Sequence, residues 1–424
     1  MIEEDEVPDT DPVTDEVVAE GSRAWPQRLV VPAGAVLVAS YIVDASLRAF
    51  FRPLWFDELI SYNLTLLPDV ATLWEALRQT ADGQPPLLHL AMRASHALFG
   101  TGEWATRLPS IAAVGAMSWA IYVFVGRRAG AVYGIAATLF AWNTWAYVYA
   151  YEARPYGLLM GLSGLAFLCW RGVAGERRSW ALAGLAACLV AMMSSHYYVG
   201  LLLLPLAVGE LVRTRVRKKI DRAVWCVLGL SPFALLLYLP LLLGVRAEYQ
   251  AGFWSPVEWM DLYGFYLFLL VSVFIPACLA LTVIAAANRF DRSPGTTPGR
   301  IWPTVFPPHE RAALYALTFT PMIYVLAATL LTGAFVYRYP LAAVFAISVV
   351  FAEILYSWLG PRSKAAWFGC AVLFGAFLVN RLIPSTRLLG QPAPQQRVEA
   401  VLDQIRSSTK NSSEPNAVPH GPRL

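Results

Sequence analysis

Charge is what this chain has least of. Only 15% of its 424 residues are Asp, Glu, Lys or Arg, against 57% hydrophobic. That balance excludes an ordinary soluble domain and fits a polytopic membrane protein. Histidine and cysteine are scarce as well, with five of each. The cysteines (Cys169, Cys188, Cys226, Cys278 and Cys370) lie singly in apolar runs. No two have metal-ligand spacing, so neither a metal site nor a disulfide framework is expected, and each reads as a small core residue. There is no phosphate-cradling P-loop and, past the acidic N-terminal segment, no Asp-x-Asp pair. These absences argue against a nucleotide-borne substrate and an essential transition metal. No cofactor is expected. A divalent cation is admissible but no ligand spacing indicates it, and nothing points to nucleic acid.

The net charge of +4 hides an asymmetry. Residues 1–20 hold nine carboxylates and no base, so the remainder carries +13. With Pro8 and Pro12 and few apolar residues, residues 1–28 read as a disordered acidic tail. They also lack the basic start of a signal peptide.

A membrane-spanning helix needs about 20 mostly apolar residues. Such runs fall at 30–49, 108–126, 129–148, 155–171, 179–194, 197–212, 223–244, 262–287, 312–333, 338–358 and 365–383. The fold expected is therefore all-α, with about eleven transmembrane helices forming one domain over 29–383. The fifth and sixth runs are short. Bases concentrate in alternate loops: Arg127 and Arg128; Arg171, Arg177 and Arg178; Arg213 to Arg222; Arg289 to Arg311; Arg362 and Lys364. Because Lys and Arg in short loops stay cytoplasmic, these loops and the N-terminus are expected inside. The first loop, 50–107, and the tail, 384–424, are then expected outside. Residues 288–311 read as a Pro- and Gly-rich linker. The tail reads as mostly disordered, with one short helix near 396–407.

Within the first outer loop, 86–99 is apolar but too short to span. His89, Arg93 and His96 recur at helical spacing, which predicts a helix lying in the interface. Counting it as a span would put the later bases outside. A second surface helix is predicted over 69–82, with Trp74 at headgroup level.

Against so apolar a background, the polar residues of the outer face stand out. Adjacent carboxylates Asp57 and Glu58 lie in the stretch Trp55-Phe56-Asp57-Glu58-Leu59-Ile60-Ser61-Tyr62-Asn63. Gln84-Pro85-Pro86, Glu152-Ala153-Arg154-Pro155-Tyr156, Ser195-His196-Tyr197-Tyr198 and Tyr337-Arg338-Tyr339 share that face. Ionisable groups at membrane depth are costly and usually line a wet cavity. Some have plainer explanations: Glu103 and Arg107, and Asp44 and Arg48, are four apart and read as helical ion pairs. His196 reads equally as an interface anchor among tyrosines, and Glu353 as structural. Asp57 and Glu58 diverge by about 100° on a helix, so one role need not serve both. The chemistry that suits the set is transfer from a phosphate-linked lipid. Arg154 and Arg338 offer planar forks for phosphate, and an aspartate can take the proton of an attacking hydroxyl.

The stretches WFDELISYN, GQPPLLHLAMRASHALFG, GEWATRLPS, GRRAG, YEARPYGLL, SHYYVGLLLLP and YRYPLAAVFAI occur in that order across residues 30–383. Together they resemble the polytopic membrane glycosyltransferases of the GT-C type, within them the protein O-mannosyltransferase and aminoarabinose-transferase-like superfamily of bacteria. The resemblance implies a polyprenyl-phosphate-linked sugar as donor, a hydroxyl acceptor, and an active site on the outer side of a bacterial inner membrane. It makes Asp57 the candidate base, with Glu58 beside it. Gln84, His89, Arg93, Glu152, Arg154, Tyr156, His196, Tyr197, Arg338 and Tyr339 are the candidate substrate-binding residues. Gln84-Pro85 stands where aminoarabinose transferases carry a lysine beside the proline, which leaves the phosphate to the arginines. A transporter or flippase of lipid-linked glycans, and a glycan ligase, are the competing readings. A transporter is expected to show two related halves with midplane charges. No repeat is visible here, and the notable charges gather on one face.

Overall fold

The computed structural model describes residues 27–251, 255–290, 304–331, 333–361 and 364–390. The acidic tail, most of the 288–311 linker and the short helix expected near 396–407 lie outside these residues.

All regular elements among the described residues are helices, with a single isolated antiparallel bridge between Pro256 and Ala334. Helix α1 (Gln27–Phe51) leads into three short helices: α2 (Phe56–Thr65), α3 (Val70–Arg78) and α4 (Leu87–Phe99). The long α5 (Glu103–Ala129) follows, then α6 (Ala131–Asn143), α7 (Pro155–Gly172), α8 (Arg178–Met193) and α9 (Leu203–Arg217). Next come α10 (Arg222–Leu230), α11 (Leu239–Ala251), α12 (Asp261–Phe290), α13 (Pro308–Leu331), α14 (Ala343–Leu359) and α15 (Ala365–Phe377). The last described residues are a π-helical turn (Leu378–Leu382), α16 (Ile383–Thr386) and a 3-10 turn (Arg387–Gly390). Among the described residues six stretches are long and apolar enough to cross a membrane, and α6, α8 and α14 are shorter apolar helices. The protein is thus a multi-pass helical membrane protein.

Each expected run falls on helix, but not always on one continuous piece. The run 129–148 divides: α6 stops at Asn143, whose side chain donates to the Leu139 and Leu373 carbonyls. The extended Thr144 then starts a 3-10 turn, Trp145–Tyr151. The run 338–358 becomes helical only at Ala343, after a turn containing Pro340. The run 223–244 passes through a 3-10 stretch, Ser231–Tyr238.

The core is organised around α5, which packs against α1, α6 and α7. Gly157 and Gly161 let α7 approach α5 closely. A Cβ on Gly157 would lie 2.8 Å from the Ser110 Cβ, and one on Gly161 would run into the Ala113 backbone. This small-xxx-small contact is a standard solution where lipid offers no hydrophobic drive for helix association. Its consequence is positional: Arg154, at the start of α7, is held beside the start of α5, and Ser110 Oγ donates to the Arg154 carbonyl at 3.3 Å.

Two expectations about charge are corrected. Arg107 does not pair with Glu103. It pairs with Glu58 from another helix, at 2.6 Å, with both side chains fully buried. An exposed i,i+4 pair is worth only a few tenths of a kcal/mol, whereas a buried guanidinium must satisfy its whole fork. Nor do the buried charges gather at one end. Arg107 and Arg128 sit on the same helix, about 32 Å apart by helical rise. Around Arg128, Glu310 accepts at 2.8 Å and also lies 3.6 Å from Arg171. Nearby, buried Glu210 pairs with Arg213 and accepts from Trp170 Nε1. Glu353 lies 3.1 Å from Arg311.

Candidate active site

The site begins with two adjacent residues that the helix sends apart. Glu58 is the third residue of α2 and accepts from the Trp55 N–H at 3.1 Å, capping the helix. It also accepts from the Ala153 N–H at 2.8 Å and from Arg107 Nε and Nη2 at 2.7 and 2.6 Å. Arg107 spends its remaining donors on the Ala49, Arg52 and Pro53 carbonyls. The pair therefore ties together the end of α1, the start of α2, α5 and the turn before α7. Asp57, by contrast, is only partly buried, and its Oδ2 lies 3.1 Å from Arg338 Nη2. Arg338 reaches it from the turn before α14 and lies over the rings of Trp55, at 5.9 Å, and Tyr156, at 5.4 Å.

Arg154 meets the same residue from the other side. Its Nη1 donates to the Asp57 carbonyl at 3.2 Å and to Ser61 Oγ at 2.9 Å, and lies 3.2 Å from Asp82 Oδ2. Asp82 was not singled out from the sequence. It sits in Asp82-Gly83-Gln84-Pro85-Pro86, where an aspartate before glycine reads as ordinary turn chemistry. In the fold it is a buried hub. Besides Arg154 it accepts from Ser61 Oγ at 2.9 Å and Gln84 Nε2 at 2.7 Å, and His89 Nε2 lies 3.3 Å away. Burial opposes ionisation of Asp82, but Arg154, His89 and Ser61 outweigh it and hold the carboxyl well below the usual range. The reciprocal field of Asp82 raises Arg154 against its own burial. Both groups stay charged.

The other candidates fall into place around this centre. The polar stripe of α4 turns inward. His89 faces Asp82, Arg93 donates to the Thr65 and Pro68 carbonyls after α2, and His96 Nε2 lies 2.9 Å from Thr106 Oγ1. Arg93 thus anchors the end of α2 at a distance from Asp57. Glu152 is buried, with Oε1 3.6 Å from Arg52 and Oε2 without a hydrogen-bond partner. Burial first, then Glu58, push its pKa up to about 7, against the pull of Arg52 and Arg338. His196, Tyr156 and Tyr339 form an aromatic wall, with Tyr339 4.9 Å from His196 and stacked on Tyr156 at 6.4 Å. Burial, Arg154 and Arg338 lower His196 to about 3, so its ring is neutral near pH 7. Tyr197 stands outside this wall and packs against Leu64, Leu73, Leu77 and Leu241. Among the described residues no three His, Cys, Asp or Glu side chains come together as a metal-holding group.

The site thus lies in an all-helical bundle with short helices between its first two long ones, where a carboxylate and two arginines meet at one end. Residues 83–243 match the family described as dolichyl-phosphate-mannose-protein mannosyltransferase. The fold is similar to that of ArnT from Cupriavidus metallidurans in the apo state. The TM-score is 0.51 at 18% identity, covering 91% of this chain and 67% of ArnT. Against the same ArnT bound to undecaprenyl phosphate the TM-score is 0.50 at 18% identity, covering 84% of this chain and 65% of ArnT. The chain thus spans about two thirds of the ArnT structures it matches. No curated protein sequence matches it.

Proposed function

We propose that this protein is a membrane glycosyltransferase that moves a sugar from a polyprenyl-phosphate-linked donor to a hydroxyl acceptor on the outer side of a bacterial inner membrane. The observation that carries the reading is the convergence of Arg154 and Arg338 on Asp57, one on its carbonyl and the other on its carboxylate. Two guanidiniums fit the phosphate of a leaving polyprenyl phosphate, and Asp57 is the partly exposed carboxylate between them. When the phosphate arrives it competes with Asp57 for Arg338, which releases the carboxylate to act as base. The acceptor O–H then attacks the anomeric carbon, its proton passes to Asp57, the carbon–oxygen bond to phosphate breaks, and polyprenyl phosphate leaves with the bonding electrons. Loss of such a base costs about 10²–10⁴-fold in rate. Glu58, fully engaged by Arg107 and two backbone N–H groups, supports the loop rather than the reaction. Gln84 and His89 act through Asp82 to hold Arg154. Tyr156, Tyr339 and neutral His196 supply the aromatic wall, and Glu152 offers an unpaired carboxyl oxygen to a polar group of the sugar.

The reading draws support from the likeness to ArnT, one of whose structures is bound to undecaprenyl phosphate. The test is incubation of purified protein with a panel of polyprenyl-phosphate sugars, scoring free polyprenyl phosphate. Release that requires a hydroxyl acceptor and disappears in Asp57→Asn is the expected result. Transbilayer movement of the intact donor without release would assign a flippase instead.

A further inference from the structure

A second group of arginines lies behind Glu152, outside the constellation around Asp57. The rings of Tyr147 and Tyr151, 6.1 Å apart, carry three of them. Arg48 and Arg52 lie over Tyr151 at 5.6 and 5.8 Å, and Arg381 lies over Tyr147 at 5.3 Å. Two carboxylates reach the three arginines, Asp44 within the group and Glu152 at its edge. Asp44, fully buried, pairs with Arg48 at 3.0 Å and accepts from Tyr147 and Ser385. The other two guanidiniums are poorly satisfied. Among the described residues Arg52 faces Glu152, at 3.6 Å, with about a third of its side chain (36%) exposed, and Arg381 donates to the Thr144 carbonyl at 3.5 Å.

The backbone makes this arrangement deliberately. Arg381 stands on the π-helical turn Leu378–Leu382, and its carbonyl accepts from Arg48 and from Ser385. Single π turns inside α-helices are uncommon and are frequently found at functional sites. The following 3-10 turn packs on α1 and carries a further base, the exposed Arg387. The helices that carry these bases also expose apolar side chains: Ile42, Val43, Phe50, Val379 and Ile383. In a membrane such side chains meet acyl chains, which places the arginines at headgroup level.

We infer that Arg52 and Arg381, braced by Arg48, form a binding site for the phosphate of an anionic lipid whose chains lie along α1 and the C-terminal helices. This site is separate from the one that takes the donor and does not depend on the transfer reading. Three guanidiniums against two carboxylates ask for an anion, the planar forks suit phosphate oxygens, and the exposed apolar side chains of the same helices suit a lipid tail.

The test uses the full chain in neutral detergent, with bound lipid counted by native mass spectrometry. Phosphatidylglycerol, phosphatidylcholine and inorganic phosphate are compared as probes. Wild type is expected to retain phosphatidylglycerol in preference to phosphatidylcholine. Arg52→Gln combined with Arg381→Gln should weaken that retention about tenfold or more, the scale of one lost charge-assisted contact. Arg381→Lys should fall between, because it keeps the charge and loses the fork. Arg52→Gln alone gives the same direction where Arg381 variants do not fold. Equal retention of the two lipids, or phosphatidylglycerol retention unchanged in Arg52→Gln, overturns the site. Inorganic phosphate that competes fully at the same concentration as the lipid reassigns it to a free anion and overturns the lipid part.

Discussion

Asp57 Oδ2 and Arg338 Nη2 lie 3.1 Å apart although most of the chain separates them. The contact joins the first short helix to the turn before α14 and leaves the carboxylate partly exposed. Glu58, one residue on, is fully buried against Arg107. Substitutions at the two positions should therefore fail in different ways. Asp57→Asn is expected to fold with normal thermal stability and to lose about 10²–10⁴-fold in transfer rate. An Asp57→Asn protein with near-normal turnover would move the base to another carboxylate.

Glu58→Gln should instead damage the protein itself. It leaves Arg107 buried and underpaired, and breaking a buried pair costs about 3–5 kcal/mol. The measurement is melting temperature and yield in detergent. A Glu58→Gln protein as stable as wild type yet inactive would return Glu58 to the chemistry.

Arg338 tests the phosphate assignment. Arg338→Ala should weaken donor binding by about 1.5–3 kcal/mol, and Arg338→Lys by less, since charge survives and the fork does not. Donor and acceptor affinities are to be measured separately. Should Arg338→Ala weaken only the acceptor, the residue serves the other half of the site.

Asp82 is expected to matter as much as the residues it holds. Asp82→Asn removes the charge that fixes Arg154, at 3.2 Å, and faces His89, at 3.3 Å. Donor affinity should fall toward that of Arg154→Ala, and the double substitution should cost less than the sum of the two, because neighbours sharing one network are not additive. Full additivity would mean that Asp82 and Arg154 act independently.

Glu152 carries a pH signature. Its pKa rises from an unfolded value of 4.5 to about 7, so the folded state holds this proton more tightly. The associated stability is fully present below about pH 4.5 and is lost as pH rises through about 7, a loss of about 3 kcal/mol. Glu152→Gln should flatten that part of the stability profile between pH 4.5 and 7. Melting curves of the two proteins across this window decide it, and identical slopes would show that Glu152 does not titrate there.

From the alternation of basic loops we expect residue 217 in the cytoplasm and residue 57 outside. Single cysteines introduced at these positions should react with an impermeant reagent in sealed cells only at 57. Reaction at 217 from outside would invert the topology.

What the sequence determined by itself was the class of protein and the short roster of its conspicuous charges. Long apolar runs predict helices because a backbone in lipid must satisfy its own hydrogen bonds, and each expected run is helical over most of its described length, six of the described stretches being long and apolar enough to span. Asp57, Arg154 and Arg338 were visible for a related reason: an ion in an apolar stretch is expensive enough to need a purpose. Only the tertiary structure decided which charge answers which. Asp57 and Glu58 are indistinguishable as neighbours in a sequence, and a helix turns them about 100° apart, one toward Arg338 and the other into the buried fork of Arg107. Asp82 was hidden because aspartate before glycine is ordinary in a turn. It became a hub when α2, α4 and the start of α7 brought Ser61, His89 and Arg154 around it. Ion pairing depends on distances of about 3 Å between segments remote in sequence, and spacing along the chain carries no record of them.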